Sequence, residues 1–357
     1  MSFSQDARTL FTFRDSPVRW PIALQAAIAI GLPTLGFALV GRADLGLLAS
    51  SGGFLALYLS ARSRRERALL LPIIGAGLVL SAAIGVLASG TLVGSLAALF
   101  LVTAAASVLS LGFGVGPPGV LFFVLVTGVS SRLAAPASLG GAALPGGLIL
   151  GMFAIGTALA YLVVLAPLLL PGVRKRDATL HGNRVVLRFD LDPITRVIIL
   201  RILIASAVAV VIAAPLGIHR VYWVLVSVVA ILQNGHTIRL TAMRGIHRVL
   251  GTLVGVGVFA LVLLWNPTGI LVALLIMALQ FVTEIVVIRN YGLALIFITP
   301  LALTIAAQGR SEPVGSVVVD RVTDTLIGAG IALVVLLIAH GVQRRRGRRG
   351  ETPAEVV

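Results

Sequence analysis

Apolar runs of roughly span length recur along almost the whole chain, broken by short polar turns, and they fall into two sets of six. The first set occupies 20–40, 44–60, 68–88, 91–111, 117–131 and 146–170; the second occupies 196–216, 221–236, 246–265, 267–288, 291–308 and 317–341. A membrane helix needs about 20 mostly apolar residues, so the runs at 44–60, 117–131 and 221–236 are short for that task. The two sets start about 177 residues apart and share polar landmarks: Arg19, Ser50, Arg62 and Arg67 recur as Arg196, Ser227, Arg239 and Arg244. An even number of spans in each set orients both the same way up, related by an axis along the membrane normal, with any shared pathway between them. The pattern predicts an all-α polytopic membrane protein of about 12 transmembrane helices, built as two parallel six-helix repeats. The expected division is an N-terminal segment 1–19, a first module 20–171, a linker 172–195, a second module 196–341 and a basic tail 342–357.

Composition supports lipid as the solvent. The chain is 58% hydrophobic and 11% charged, with a mean hydropathy of +1.08, well outside the range of water-soluble domains. It has no cysteine, which removes disulfide, iron–sulfur and thiol chemistry. The net charge of +15 does not point to nucleic acid, because the arginines sit in short turns between apolar runs rather than on one soluble face. Their distribution orients the chain instead. With the N-terminus inside, the inner segments hold 22 basic residues, whereas the outer turns hold only Arg42, Arg132, Arg220 and Arg310. That asymmetry places both termini in the cytoplasm of a cell with a single bounding inner membrane to face. The first run is too long for the apolar core of a secretory signal. The stretch 184–193 alternates like a strand, but an isolated strand has no partner, so it is read as an interfacial connector.

Ionisable groups inside spans are expensive and need a reason. Arg201, Glu284 and Asp324 stand out, with Arg321 nearer a span end. At 1.5 Å per residue, Glu284 and Arg201 lie at about the same depth, roughly 6–8 Å from the inner side. Arg321 and Asp324, three residues apart, share a helix face. Two roles are open for these groups: structural pairs Arg201–Glu284 and Arg321–Asp324, or arginines that hold a substrate carboxylate beside a proton-carrying Glu284 or Asp324. A guanidinium fork suits a planar carboxylate because it donates two parallel hydrogen bonds. Gln280, Thr283 and Glu284 form one polar face at helical spacing, and Gln233, Asn234, His236 and Thr237 close the eighth run, His236 most simply as a cap. Arg244, Arg248, Gly251 and Gly255 make one stripe, with its charged end toward the cytoplasmic mouth; its glycines, like Gly77, Ser81 and Gly85, suit close helix packing. No phosphate loop, zinc-protease helix, carboxylate pair at metal spacing or Ser/His/Asp set occurs, and GFGVGPPG (112–119) leads into an apolar run. No enzyme activity, cofactor or metal is expected.

In the second half the residues become recognisable. Tyr222 and Trp223 open a run, followed by RLTAMRGIHRVLGTLVGVGVF (239–259), RNYGLALIFITPLALT (289–304) and DRVTDTLIGAGIAL (320–333). In order and spacing these resemble the fusaric acid resistance (FUSC), or aromatic acid exporter, family. The positions that carry the likeness are Tyr222, Trp223, Arg244, Arg248, Gly251, Thr252, Asn290, Tyr291, Thr299, Pro300, Arg321, Asp324 and Gly328. The first half matches only as a diverged copy without the Tyr-Trp pair. The resemblance implies an inner-membrane exporter of organic or aromatic carboxylates, with kinship to plant aluminium-activated malate channels. It departs from many relatives in having only about 25 residues between its halves where they carry a cytoplasmic domain.

Taken together, the expected function is export or conduction of small organic anions between the two modules. Arg201, Glu284, Arg321, Asp324, Gln280, Gln233, Asn234, Arg244, Arg248, Tyr222 and Trp223 are the candidate pathway residues. Expected partners are membrane lipids and the organic anion, with a homo-oligomer left open and nucleic acid excluded. The rival is a non-transporting membrane scaffold that recruits partners through its basic cytoplasmic surface.

Overall fold

The computed structural model describes residues 19–179, 188–234, 237–306 and 314–348. Thirteen α-helices and no strand occur among them. They are α1 (Trp20–Leu39), α2 (Ala43–Ser50), α3 (Arg64–Leu87), α4 (Leu92–Gly112), α5 (Leu121–Ala134), α6 (Gly146–Leu165) and α7 (Pro171–Thr179). The second half of the chain gives α8 (Pro193–Ala213), α9 (Ile218–Leu232), α10 (Ile238–Trp265), α11 (Ile270–Val286), α12 (Tyr291–Ala306) and α13 (Val314–Arg348). Each of the twelve apolar runs contains one helix. Seven helices are long and apolar enough to cross a membrane, and five shorter apolar ones accompany them. The chain is a multi-pass membrane protein.

Helix starts follow local chemistry. Ser63 and Glu66 form a reciprocal capping box on α3, and Asp177 of α7 accepts the Arg64 and Arg65 N–H groups at 2.8 and 3.1 Å. The segment read as a plain linker thus contributes α7 and closes the first turn of α3. Thr91 caps α4, Asp192 caps α8 ahead of Pro193, and Thr237 caps α10. Residues 188–192 of the strand-like stretch have no regular structure, and Phe189 packs edge-on against Phe113, 5.1 Å between ring centroids; residues 184–187 lie outside the described residues, as does His236. The run 44–60 is α-helical only to Ser50 and then tightens into a 3₁₀ segment, Ser51–Leu57.

Burial is inverted relative to a water-soluble protein. Leu87 and Leu264 are 84% and 83% exposed, whereas Thr34, Ser50, Thr103, Ser107, Thr127, Ser206 and Ser227 are buried. Most of these hydroxyls return a hydrogen bond to the carbonyl one turn back, as Thr103 does to Leu99 (2.6 Å) and Ser227 to Trp223 (3.0 Å). Those that do so leave no open hydroxyl where water is absent, Ser206 being the exception. With lipid tails outside, close packing rather than apolar burial holds helices together. The Gly251/Gly255 stripe serves this: a Cβ on Gly255 would stand 2.7 Å from Thr299 Cβ, so only glycine lets α10 approach α12 this closely.

Helix neighbours repeat along the chain. In the first half α3 packs on α5, α6 on the α2 segment, α1 on α6 and α4 on α5; in the second, α10 packs on α12, α13 on α9, α8 on α13 and α11 on α12. Between the halves, α1 lies against α11 and α4 against α8, while α5 meets α9 and α2 meets α12. Both large apolar cores mix the halves: Ile276, Leu279 and Leu301 join Phe54 and Phe153 in one, and Leu99 and Val124 join Ile202 and Tyr222 in the other. The seam thus includes short elements, α5, α9 and α12 spanning 14, 15 and 16 residues, beside the longer α1, α4 and α8.

Candidate functional site

The second half gathers its polar signature residues around α9, α10, α12 and α13. Arg321 on α13 is 2% exposed, and its guanidinium carbon lies 3.9 Å from the centroid of the Trp223 ring. Its Nε and Nη1 meet no hydrogen-bond acceptor. Trp223 rests against Tyr222, ring centroids 4.9 Å apart. On α10, Arg248 is buried and donates from Nη1 to the Tyr291 hydroxyl at 3.0 Å. The Arg244 guanidinium sits 4.7 Å from the centroid of that same tyrosine ring. Asn290, whose side chain accepts the Leu293 N–H at 2.9 Å, fixes the start of α12 and so places Tyr291. The ionisable groups that act electrostatically on Arg321 are Arg248, Tyr222, Tyr291 and Asp324. Among the described residues, no carboxylate lies within 4 Å of either Arg248 or Arg321.

Arg321 and Asp324 are therefore not the pair that their spacing suggested. Asp324 accepts from Arg220 Nε at 2.8 Å, and Arg220 Nη1 also stands 3.3 Å from Asp320 while Nη2 bonds Thr323 Oγ1. The reason is tertiary. Arg220 lies in the first turn of α9, which packs along α13, and it reaches the acidic face of α13 first. Arg321 is left facing the Trp223 ring.

The expected pairing of Arg201 with Glu284 also fails. Equal depth fixes height in the bundle but not direction around it: α11 packs on α1, whereas α8 packs on α4, α9 and α13. Glu284 stands 3.7 Å from Arg19 and accepts from Gln280 at 3.3 Å, and Arg19 also bonds Ser60 at 3.2 Å. Arg201 is buried with its Nε lacking an acceptor and no carboxylate within 4 Å among the described residues. Gln233, a pathway candidate, accepts the Val120 N–H at 3.0 Å and ties the end of α9 to the start of α5. Asn234 closes α9 nearby without joining the arginine cluster. At the charged end of the α10 stripe Arg248 is buried and Arg244 is half-buried.

Two cavities line the seam between the halves. The larger, about 40 Å³, is walled by Ser51, Phe54 and Phe153 on one side and by Trp223, Ala302 and Ala306 on the other. The smaller, about 10 Å³, is bounded by Tyr222 and Arg132. Sequence reasoning put Arg132 and Arg220 in turns because each adjoins an apolar run. Arg132 instead belongs to the last turn of α5 and is buried. Neither residue carried a signal beyond its charge. Among the described residues, no group of three acidic or histidine side chains is arranged to hold a metal ion.

Residues 205–335 match the family model described as fusaric acid resistance protein-like. The stretch covers Tyr222, Trp223, Arg244, Arg248, Tyr291, Arg321 and Asp324, and the family points to a transporter-type role. The chain is also 25% identical, over 464 aligned positions covering 91% of it and 73% of the relative, to the "Uncharacterized membrane protein YvaC" of Bacillus subtilis (strain 168). That alignment is longer than the chain, so the relative holds extra sequence within the matched region. No solved structure matches. The fusaric acid resistance resemblance rests on these two matches; neither extends it to the plant malate channels.

Proposed function

With a fusaric acid resistance-like second half as the premise, we propose that this protein carries small organic anions, aromatic carboxylates among them, out of the cell along the seam between two six-helix repeats. The observation that carries the reading is the pair Arg248 and Arg321: both buried, each within electrostatic reach of the other, and neither with a carboxylate beside it among the described residues. A buried cation without a direct carboxylate partner is costly in a bilayer, and the acid nearest Arg321, Asp324, is bonded to Arg220. Two of them together make a vacancy for negative charge. The walls add selectivity: Trp223, Tyr222 and Tyr291 offer ring faces and two hydroxyls, suited to a flat anion with a planar head. Arg201, with no carboxylate near it, is a further anion contact along the α8 side.

The twofold arrangement is supported by the matched neighbours of the two halves and by the matched contacts α1–α11 and α8–α4 across the seam. The arginine bias supports an inner-membrane protein with both termini cytoplasmic. With the interior negative, outward movement of a monoanion releases about 2.3 kcal/mol per 100 mV. Uniport is therefore sufficient, and both Glu284 and Asp324 are already engaged by arginines.

The test is reconstitution in proteoliposomes with an imposed potential and radiolabelled benzoate. Voltage-driven flux in the wild type that drops in Arg248→Gln supports the proposal. Wild-type vesicles that pass no carboxylate under potential overturn it. Reporter tags within 172–195 test the orientation, which fails if they label from outside.

A further inference from the structure

We propose that the Trp223 indole is a movable plug between the seam cavity and Arg321, so that an anion reaches the guanidinium only when the ring swings away. The inference rests on the anion-transport reading above and adds to it a single gating and selectivity residue. Trp223 is the one side chain that both covers the Arg321 guanidinium, at 3.9 Å, and walls the larger cavity between the halves. The rest of that cavity is lined by apolar side chains apart from the hydroxyls of Ser51 and Ser130, and none of these offers an anion a positive charge. At about 40 Å³ it has room for a few water molecules but not for an aryl carboxylate. Access to positive charge from the seam therefore depends on what the indole does.

Of the two adjacent rings, Trp223 has the more room beside it. Tyr222 is pinned, since Gly128 of α5 lies so close to it that an added Cβ would overlap the tyrosine Cβ and Cγ. Trp223 adjoins the larger cavity, whereas Tyr222 borders only the smaller one. In the unoccupied protein its π face satisfies part of the need of a buried cation for negative charge. A carboxylate satisfies it better, through a charge-assisted hydrogen bond from Nε or Nη1, neither of which has an acceptor among the described residues. The anion thus displaces the ring, and rotation of the ring merges cavity and guanidinium into one space large enough for the ligand. A plug of this kind selects by fit: an aromatic anion stacks on the displaced indole, and a small aliphatic one does not.

The experiment uses the full chain with Trp20→Phe and Trp265→Phe, leaving Trp223 as the only tryptophan; the two replaced rings are 57% and 55% exposed and lie outside the site. Benzoate is the probe, and its binding is measured in parallel by equilibrium dialysis. A red shift of emission and increased acrylamide quenching, saturating at the benzoate concentration that saturates binding, are expected. In proteoliposomes, Trp223→Ala should raise benzoate flux about tenfold over Trp223→Phe, equivalent to a barrier lower by ~1.4 kcal/mol, and should lose the preference for benzoate over acetate. Emission that stays unchanged on a protein that binds and moves benzoate overturns the plug and leaves the anion pathway standing. Equal flux and selectivity in the Ala and Phe variants overturns it as well. Absence of any benzoate binding removes the anion pathway itself, and the plug with it.

Discussion

If Arg321 is kept for an anion rather than for folding, Arg321→Gln should weaken ligand binding while leaving the stability of the fold nearly unchanged, a separation that a structural arginine does not produce. The binding side follows from the two unengaged donors, Nε and Nη1. Losing charge-assisted hydrogen bonds worth about 1.5–3 kcal/mol lowers affinity about 10- to 150-fold. On the stability side, the substitution removes no ion pair, since Asp324 belongs to Arg220. It relieves part of the insertion cost of about 2.5–3.5 kcal/mol that an arginine pays at a span centre, Arg321 lying near a span end, and forfeits a cation–π contact of up to about 2 kcal/mol together with the attraction of Asp324. These terms are similar in size, so the balance is close to zero. Arg67→Gln is the control, because Arg67 is equally buried but donates to the Ala56 carbonyl at 2.6 Å. Its loss should destabilise by about 1–3 kcal/mol and leave benzoate affinity unchanged. Benzoate titration in nanodiscs and reversible unfolding in mixed micelles read the two quantities separately. An Arg321→Gln protein that loses more than about 2 kcal/mol of stability, the scale of a broken buried hydrogen bond, yet binds benzoate normally would refute the reasoning.

Four other outcomes are expected. Gly255→Leu should cost about 1–3 kcal/mol of stability by forcing α10 off α12, whereas Gly257→Ala, with nothing within 4 Å of its Cβ position, should be neutral in the same unfolding assay. A double-mutant cycle on Arg19→Gln and Glu284→Gln should return a coupling of about 0.5–3 kcal/mol; additive effects would show that the 3.7 Å approach carries no energy. The Thr195 hydroxyl, with the Thr195 and Ile194 N–H groups, holds the Asp192 carboxylate below its ordinary 3.8. That contribution to stability is present above the ordinary value and is lost as pH falls through the depressed one, so Asp192→Ala should flatten the acid limb of the midpoint-against-pH curve. Arg201→Gln should lower benzoate flux at fixed potential in proteoliposomes, and unchanged flux removes Arg201 from the pathway.

Much of the architecture was legible because membrane helices are set by one-dimensional signals. The apolar runs at 20–40, 91–111 and 291–308 became helices starting at Trp20, Leu92 and Tyr291, since caps such as Thr91 and Asn290 adjoin the apolar onset. The start of α10 was placed eight residues late, at 246 rather than Ile238. Its polar first turns are helical beyond the apolar stretch, and Thr237 caps them. The 3₁₀ turn Ser51–Leu57 was hidden because hydropathy does not distinguish helix types. The grouping of Arg244, Arg248, Tyr291 and Arg321 could be anticipated only as a set of recognisable positions. Their mutual contacts depend on which helix faces which, and depth along a span carries no such information. The same ignorance of azimuth produced both mistaken pairs, Arg201 with Glu284 and Arg321 with Asp324.

The short elements at the seam have an electrical consequence. Helices of 14 to 16 residues are about 21–24 Å long, against about 42 Å for the 28 residues of α10. Where these helices alone separate the two aqueous faces, the septum is thinner than the ~30 Å hydrocarbon layer around it. A given voltage dropped over a thinner dielectric gives a steeper field, concentrated where the two halves meet. A charge displaced by a few ångströms there crosses a larger share of the total potential than it would anywhere else in the bundle.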